Sequence, residues 1–503
     1  MVRKNLNKLA SLRLFFFYSF PVVLYFSYYP ILPLGSNASM NFELSLPLIW
    51  LLIFALLSLK DFFLFLKTLP KTLKSLSFSK SSTLVFSIFL FSLYLSLSLL
   101  WTPNRLRGIL TVGILWCILI SLLGIKNLFK SNSINTSFLK KVFLFASIFV
   151  CLICWLQSFL DVFGVPRETT LLCLGCTSRI FGFPHPSGFA IEPQFMGNLL
   201  LAPTFYALYL YKTERNLKNR TLLFAFSSTL FLTFSRGAIY AFAVGFSFFV
   251  LYSLVKKLSS LKSLLEPVAI VIFTFLFTLS FQGIFSELSS TNDTFSSGVA
   301  KSLNQLSLGL IDFRASPQKD SSPEESSSPE ISNPESNEES ASPEETENLS
   351  VFDGYVAEST NFRLSLNASA LSASLDSPLN FLFGYGLGSA GTVLYEKSFT
   401  THPKEIVQNE YFSLLLETGL VGLLLFLLAI VVFFTTIAKT LTFPKLPKNS
   451  SAFLVKPFLF SLTLAYLVTL SFFSGFPNAL HLYLLPPLFL FSFQTQIGHK
   501  PKS

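Results

Sequence analysis

Apolar runs close to twenty residues long recur along this chain, and the short polar gaps between them collect Lys and Arg. A helix of roughly 20 apolar residues crosses the ~30 Å hydrocarbon layer of a bilayer. Runs that reach or approach that length cover 14–32, 46–64, 83–100, 108–125, 142–162, 190–211, 221–235, 237–254, 266–284, 411–434, 457–475 and 478–494. They predict an all-α polytopic membrane protein of about twelve transmembrane helices, with one large, partly helical loop. The expected organisation is a bundle of about nine helices over 1–284, the loop over 285–410, and a bundle of about three helices with a short basic tail over 411–503. The first run follows Arg3, Lys4, Lys8 and Arg13; no small-residue cleavage site follows it, so it reads as an uncleaved first helix.

Charge then orients the pattern. When the gaps are assigned alternately to the two sides, 26 of the 37 Lys and Arg fall on the side of the N-terminus, and every gap on that side is basic. Basic loops stay cytoplasmic, so both termini are expected in the cytoplasm and the 285–410 loop outside it, in a bacterial inner membrane. Composition agrees: 51% of residues are hydrophobic, 60 are Phe and 13% are charged, against about 25% charged in soluble domains. The net charge of +10 therefore writes orientation rather than a nucleic-acid surface, and the lipid bilayer is the first partner expected.

The large loop holds 19 of the 27 acidic residues. Its middle, 316–348, repeats Ser-Pro-Glu and has too few apolar residues for a core, so a disordered acidic insert is expected there. The flank from Phe352 to Ser398 keeps apolar periodicity and is expected to be ordered and helical. Cys117, Cys151 and Cys154 lie in apolar runs as packing residues. Cys173 and Cys176 form a Cys-x-x-Cys in an outer loop, either as small loop residues or as a local disulfide. A lone local His185 argues against a metal there.

Chemistry is expected where polar residues interrupt apolar runs. Arg236 stands in Thr233-Phe234-Ser235-Arg236-Gly237-Ala238 between two spans. A charge there either snorkels to the interface or meets an anion, and guanidinium suits bidentate phosphate contact. Ser235 and Gly237 suggest a helix break or the close approach of a ligand. Arg363 precedes the glycine cluster Gly384-Tyr385-Gly386-Leu387-Gly388, which reads as a turn permitting close backbone packing. Arg179 opens a Pro- and Gly-broken turn, through His185, toward Glu192-Pro193, and is a candidate second anion contact. His185, flanked by prolines, reads as structural. Finally, Glu410, Ser413 and Glu417 share a helix face with Asn409 nearby, a polar stripe expected to face the bundle interior, where it serves either internal hydrogen bonding or a wet cavity.

These pieces together resemble the bacterial O-antigen ligase and O-antigen polymerase superfamily. The resemblance rests on Trp101-Thr102-Pro103-Asn104, Ser187-Gly188 to Glu192-Pro193, the 233–238 segment, Arg363, Phe383-Gly384-Tyr385-Gly386-Leu387-Gly388, and Asn409-Glu410-Tyr411 through Glu417-Thr418-Gly419-Leu420-Val421-Gly422, in that order along most of the chain. It implies inverting glycosyl transfer on the outer face of the inner membrane, without metal or cofactor. The implied donor is an undecaprenyl-diphosphate-linked glycan, and the implied acceptor is a glycan or glycolipid. Arg236 and Arg363, with Arg179 as helper, would hold the diphosphate.

Members with ligase activity usually carry His before the Asn of the loop helix; this chain has Gln408. Gln is no general base near neutral pH, so His402 or Glu410 would serve, or the enzyme differs from the ligases and leans toward polymerase-like transfer. The candidate catalytic set is thus Arg236, Arg363, His402, Gln408 and Glu410. A transporter or flippase of an anionic solute or lipid-linked sugar is the alternative. It would want paired midplane charges and repeated halves, and the sequence displays neither. A non-catalytic envelope scaffold is the third reading.

Overall fold

The computed structural model describes residues 2–27, 31–36, 41–74, 81–131, 133–163, 177–178, 185–190, 192–258, 260–289, 294–307, 348–440, 454–473 and 480–498. Helix dominates. The order is α1 (Val2–Val23), a hairpin of β1 (Ile31–Ser36) and β2 (Asn41–Ser45), α2 (Leu46–Leu57), α3 (Leu59–Lys74), α4 (Ser81–Ser98), α5 (Arg105–Lys130) and α6 (Thr136–Val162). A two-residue pairing of β3 (Thr177–Ser178) with β4 (His185–Pro186) follows, then α7 (Pro193–Thr213), α8 (Leu217–Leu232), α9 (Arg236–Val255), α10 (Leu261–Ser289) and α11 (Phe295–Leu306). The rest is α12 (Asn348–Ser374), α13 (Pro378–Phe383), α14 (Ala390–Glu396), α15 (Glu410–Thr440), α16 (Val455–Thr469) and α17 (Leu480–Gly498).

Among the described residues, α5, α6, α9, α10 and α15 are long and apolar enough to cross a bilayer, and the bent pair α2–α3 makes a sixth span by length and composition. Ser82–Ser98, Val455–Thr469 and Leu480–Gln494 are shorter apolar helices in the same packing. The acidic insert, Arg179, Cys173 and Cys176 lie outside the described residues.

Two local expectations change. The first apolar run does not stay helical to residue 32: Ile31 begins β1, because Pro30, Pro33 and Gly35 interrupt helix. The second run, expected as one helix, bends by 57° between α2 and α3. The bend brings Asp61 of α3 to Arg13 of α1 as an ion pair, and Arg13 also donates to the Gly124 carbonyl of α5 at 2.9 Å. A carboxylate this buried needs such a partner. Gly124 leaves the room, since a Cβ there would lie 2.3 Å from Ser58 Oγ.

One continuous apolar cluster runs from Phe17 of α1 to Phe493 of α17. At its centre α7 is buried on nearly every face, from Met196 to Tyr209. A helix apolar all round belongs inside a bundle. Outside that core, α12, α14 and the start of α15 form a small core of their own from Leu366, Ala370, Ala373, Leu394, Val407 and Leu416. The ordered flank of the large loop is thus a helical cap, held by its own apolar contacts.

Candidate active site

Helix directions gather the polar motifs at one end of the bundle. The N-termini of α5, α7, α9 and α15 and the C-terminus of α16 meet there. At the other end lie Arg13 with Asp61, Lys212 donating to the Ser263 carbonyl at 3.1 Å, and Arg220 with Glu266 at 2.6 Å.

Arg236 is the first residue of α9. The chain turns sharply out of α8 through Phe234, whose φ is +48°, and Ser235 caps the new helix by accepting from the Ala238 N–H at 3.3 Å. The expected break is therefore present, with Ser235 as its cap. Gly237 serves protein packing: a Cβ on it would lie 2.8 Å from the Phe472 Cβ. Arg236 is half-buried, and its Nη1 donates to Thr360 Oγ1 of α12 at 3.1 Å. Arg363 lies one turn further along α12 and is also half-buried. Positions three apart share a helix face, so two arginines separated by more than a hundred residues come within a helical turn of one Thr. Thr360 was not singled out in the sequence, because one hydroxyl on a helix carries no pattern.

Residues 470–472, at the end of α16, strap the neighbouring elements together. The Leu470 carbonyl accepts from the Glu410 N–H at 2.8 Å, the Ser471 carbonyl from Asn409 Nδ2 at 3.2 Å, and the Phe472 carbonyl from Gln194 Nε2 at 2.8 Å. Asn409 also caps α15, its Oδ1 accepting from the Tyr411 N–H at 3.0 Å and the Phe412 N–H at 3.3 Å. Glu410 thereby opens α15 as a buried carboxylate, on the same strap that packs against Gly237. Gln408 is half-buried just before it, and His402 is exposed on the segment joining α14 to α15. The strap and Gln194 were missed because the first reads as the tail of an apolar run; Gln194 sat beside the noted Glu192-Pro193 pair.

The polar stripe of α15 is buried as expected: Asn409, Ser413 and Glu417 are each 8% exposed and Glu410 2%. Glu417 has a definite internal role. Its Oε1 accepts from the Ala390 N–H at 3.1 Å, at the start of α14, with Arg107 of α5 contributing favourable charge. The glycine cluster folds over this point. The Tyr385 and Gly386 N–H groups donate to the Leu416 and Glu417 carbonyls at 3.0 and 2.7 Å. Gly384 (φ +72°) and Gly419 (φ +66°) let the two backbones touch, since a Cβ on either would lie 2.4 Å from backbone of the other strand. Thr102 closes the far side, donating to the Leu387 carbonyl at 2.9 Å, and Tyr94 Oη donates to the Thr418 carbonyl at 2.7 Å. Tyr385 Oη donates to Asp376 Oδ2 at 3.1 Å, and Lys397 pairs with the same carboxylate. That partner holds the Asp376 carboxyl below its ordinary range. These motifs are a clamp that seats the cap helices on the bundle.

His185 is buried in β4 and stacks on Phe234 with ring centroids 5.6 Å apart, so it braces the turn before Arg236. Burial pushes its pKa down to about 3, which keeps the ring neutral.

What results is an end of the bundle where Arg236 bonds Thr360, Arg363 follows one turn along the same helix, Glu410 opens α15 as a buried carboxylate, and a helical cap packs on top. Cations in a partly dry setting stabilise charge that develops on a departing anion. Residues 221–427 match the family described as O-antigen ligase. No curated protein matches the chain. The matched stretch contains Arg236, Arg363, the glycine cluster and Glu410. Two pieces outside it pack onto it: Thr102 on Leu387 and Asn104 on Thr392.

Proposed function

We propose that this chain, whose residues 221–427 match the O-antigen ligase family, is a membrane glycosyltransferase of surface-polysaccharide synthesis, of the O-antigen ligase and polymerase type, acting without a metal at the outer face of the bacterial inner membrane. The donor is a glycan on undecaprenyl diphosphate, and the acceptor is a lipid- or sugar-linked glycan. Both termini lie in the cytoplasm and the cap lies outside it. The observation that carries the reading is the Arg236–Thr360 hydrogen bond at 3.1 Å, with Arg363 one turn away. It supports one diphosphate gripped from two sides.

The chemistry follows from the groups present. Arg236 and Arg363 hold the diphosphate and offset the charge that grows on it as the glycosidic bond breaks. The acceptor hydroxyl attacks the anomeric carbon from the opposite face and inverts it. Glu410 takes the hydroxyl proton, because Gln408 has no basic lone pair for it and His402 stands exposed at the cap surface. Arg179 is the helper at the same anion.

The test is surface glycan in cells, and transfer by the purified protein. Arg236→Ala should lower transfer by roughly 100-fold or more, the loss expected when one fixed donor to a developing anion is removed. Gln408→Ala should be far milder. Normal glycan in correctly inserted Arg236→Ala protein would refute the grip on diphosphate.

A further inference from the structure

An open cavity of about 490 Å³ lies on the cap, beside the candidate site. Phe362, the neighbour of Arg363, forms one wall, and Tyr395, Glu396, Phe399, Thr401 and Glu405 line the rest. We propose that this cavity binds a sugar ring of the glycan, and that it selects neutral or amino sugars over acidic ones. The inference rests on the transfer reading above and adds a substrate class to it.

Three observations support a built site. First, Phe362, Tyr395 and Phe399 are 48%, 47% and 43% exposed, yet all three line one concavity. Exposed aromatic rings gathered in a hollow mark a binding surface, and a flat ring face suits the axial C–H face of a pyranose. Second, the two acids and the hydroxyl of Thr401 supply the acceptors and the donor that ring hydroxyls need, while among the described residues no Lys or Arg lines the wall. Lys397, next in the chain to Glu396, is engaged by Asp376. An ammonium group on the sugar would be welcome there, and a uronic carboxylate would meet two like charges.

Third, the rims are held in place. The α14 helix ends with Ser398 at φ +60°, where the Phe399 N–H donates to the Leu394 carbonyl and the Ser398 N–H to the Tyr395 carbonyl, each at 2.9 Å. This double closure on a non-glycine residue in the left-handed region fixes Tyr395 and Phe399 relative to each other before any ligand arrives. The cavity also lies at the right place. Phe362 and Arg363 are consecutive on α12, so the cavity wall and the second arginine share one turn of the same helix.

The experiment uses the full chain in nanodiscs. Saturation-transfer NMR measures binding of three soluble probes: maltotriose, a glucosamine trimer and a galacturonic acid trimer. The first two should bind better than the acidic trimer. Phe399→Ala should weaken them roughly tenfold, a loss within the range of one aromatic contact, and Glu396→Gln should narrow the gap to the acidic probe. Phe399 is exposed, so its truncation should leave melting unchanged. Repeating the measurement with an undecaprenyl-diphosphate-linked glycan present assigns the source: displacement of the free sugar means the donor's ring sits here, and joint occupancy means the acceptor's. Binding indifferent to both Phe399→Ala and Tyr395→Ala, or a preference for the acidic trimer, overturns the proposal. So does a Phe399→Trp probe quenched by brominated lipid and not shielded by sugar, which would make this a membrane-contact face. Arg236→Ala should abolish transfer and leave sugar binding intact. Wild-type protein that binds sugar here yet transfers nothing would refute the transfer reading and spare this one.

Discussion

Replacing Glu417 separates a structural carboxylate from a catalytic one. The side chain is buried on α15, and its Oε1 accepts from the Ala390 N–H at 3.1 Å while Ala390 itself is 2% exposed. Glu417→Ala leaves that N–H buried without an acceptor, which costs ~1–3 kcal/mol. It also removes an anion from the start of α14 and from the field of Arg107, adding ~1 kcal/mol. The expected loss is therefore ~2–4 kcal/mol. Glu417→Gln keeps an acceptor oxygen in place and loses only the charge-assisted part, ~1 kcal/mol.

Thermal unfolding of the purified protein in nanodiscs reads the difference, and transfer measured below the melting range reads the chemistry. The expected order of stability is wild type, then Gln, then Ala, with transfer in the Gln variant close to wild type. If Glu417→Gln melts like wild type but has lost transfer by a hundredfold, Glu417 takes part in the reaction and the clamp is not its purpose.

Gly384→Ala should cost ~3 kcal/mol or more and reduce the yield of folded protein in size-exclusion chromatography, because its φ is +72° and the added Cβ would sit 2.4 Å from the backbone of Glu417. For His185, the folded pKa of about 3 lies below the ordinary value of 6.5, so the unfolded chain binds the extra proton between those two pH values. Stability should then be full above pH 6.5 and fall on acidification, by on the order of 2 kcal/mol from pH 7 to pH 5 for this group alone. His185→Phe, which preserves the stack on Phe234, should flatten that slope in melting curves taken across pH. Deleting 316–348 should leave transfer within about twofold of wild type, as expected of a segment without a core, and a large loss would give the insert a role in the reaction.

The sequence by itself determined where helices form. Every apolar run near twenty residues overlaps a helix, since the hydrocarbon requirement and the 1.5 Å rise leave that pattern little freedom. It also displayed the interruption from Thr233 to Gly237 at the break before α9, though not the one at the first hairpin. What it did not display is which interruptions meet. Gly384 and Gly419 are both chain punctuation in one dimension, and only packing shows that Gly384 makes room for the backbone of Glu417 and Gly419 for that of Leu382. Arg236 and Arg363 are more than a hundred residues apart, with the acidic insert between them, and Thr360 that links their surroundings has no signature at all. The same limit made Glu417 ambiguous. A buried carboxylate in an apolar helix has to be satisfied, but whether by a ligand or by the first N–H of another helix depends on contacts that span the chain, and those belong to the tertiary structure alone.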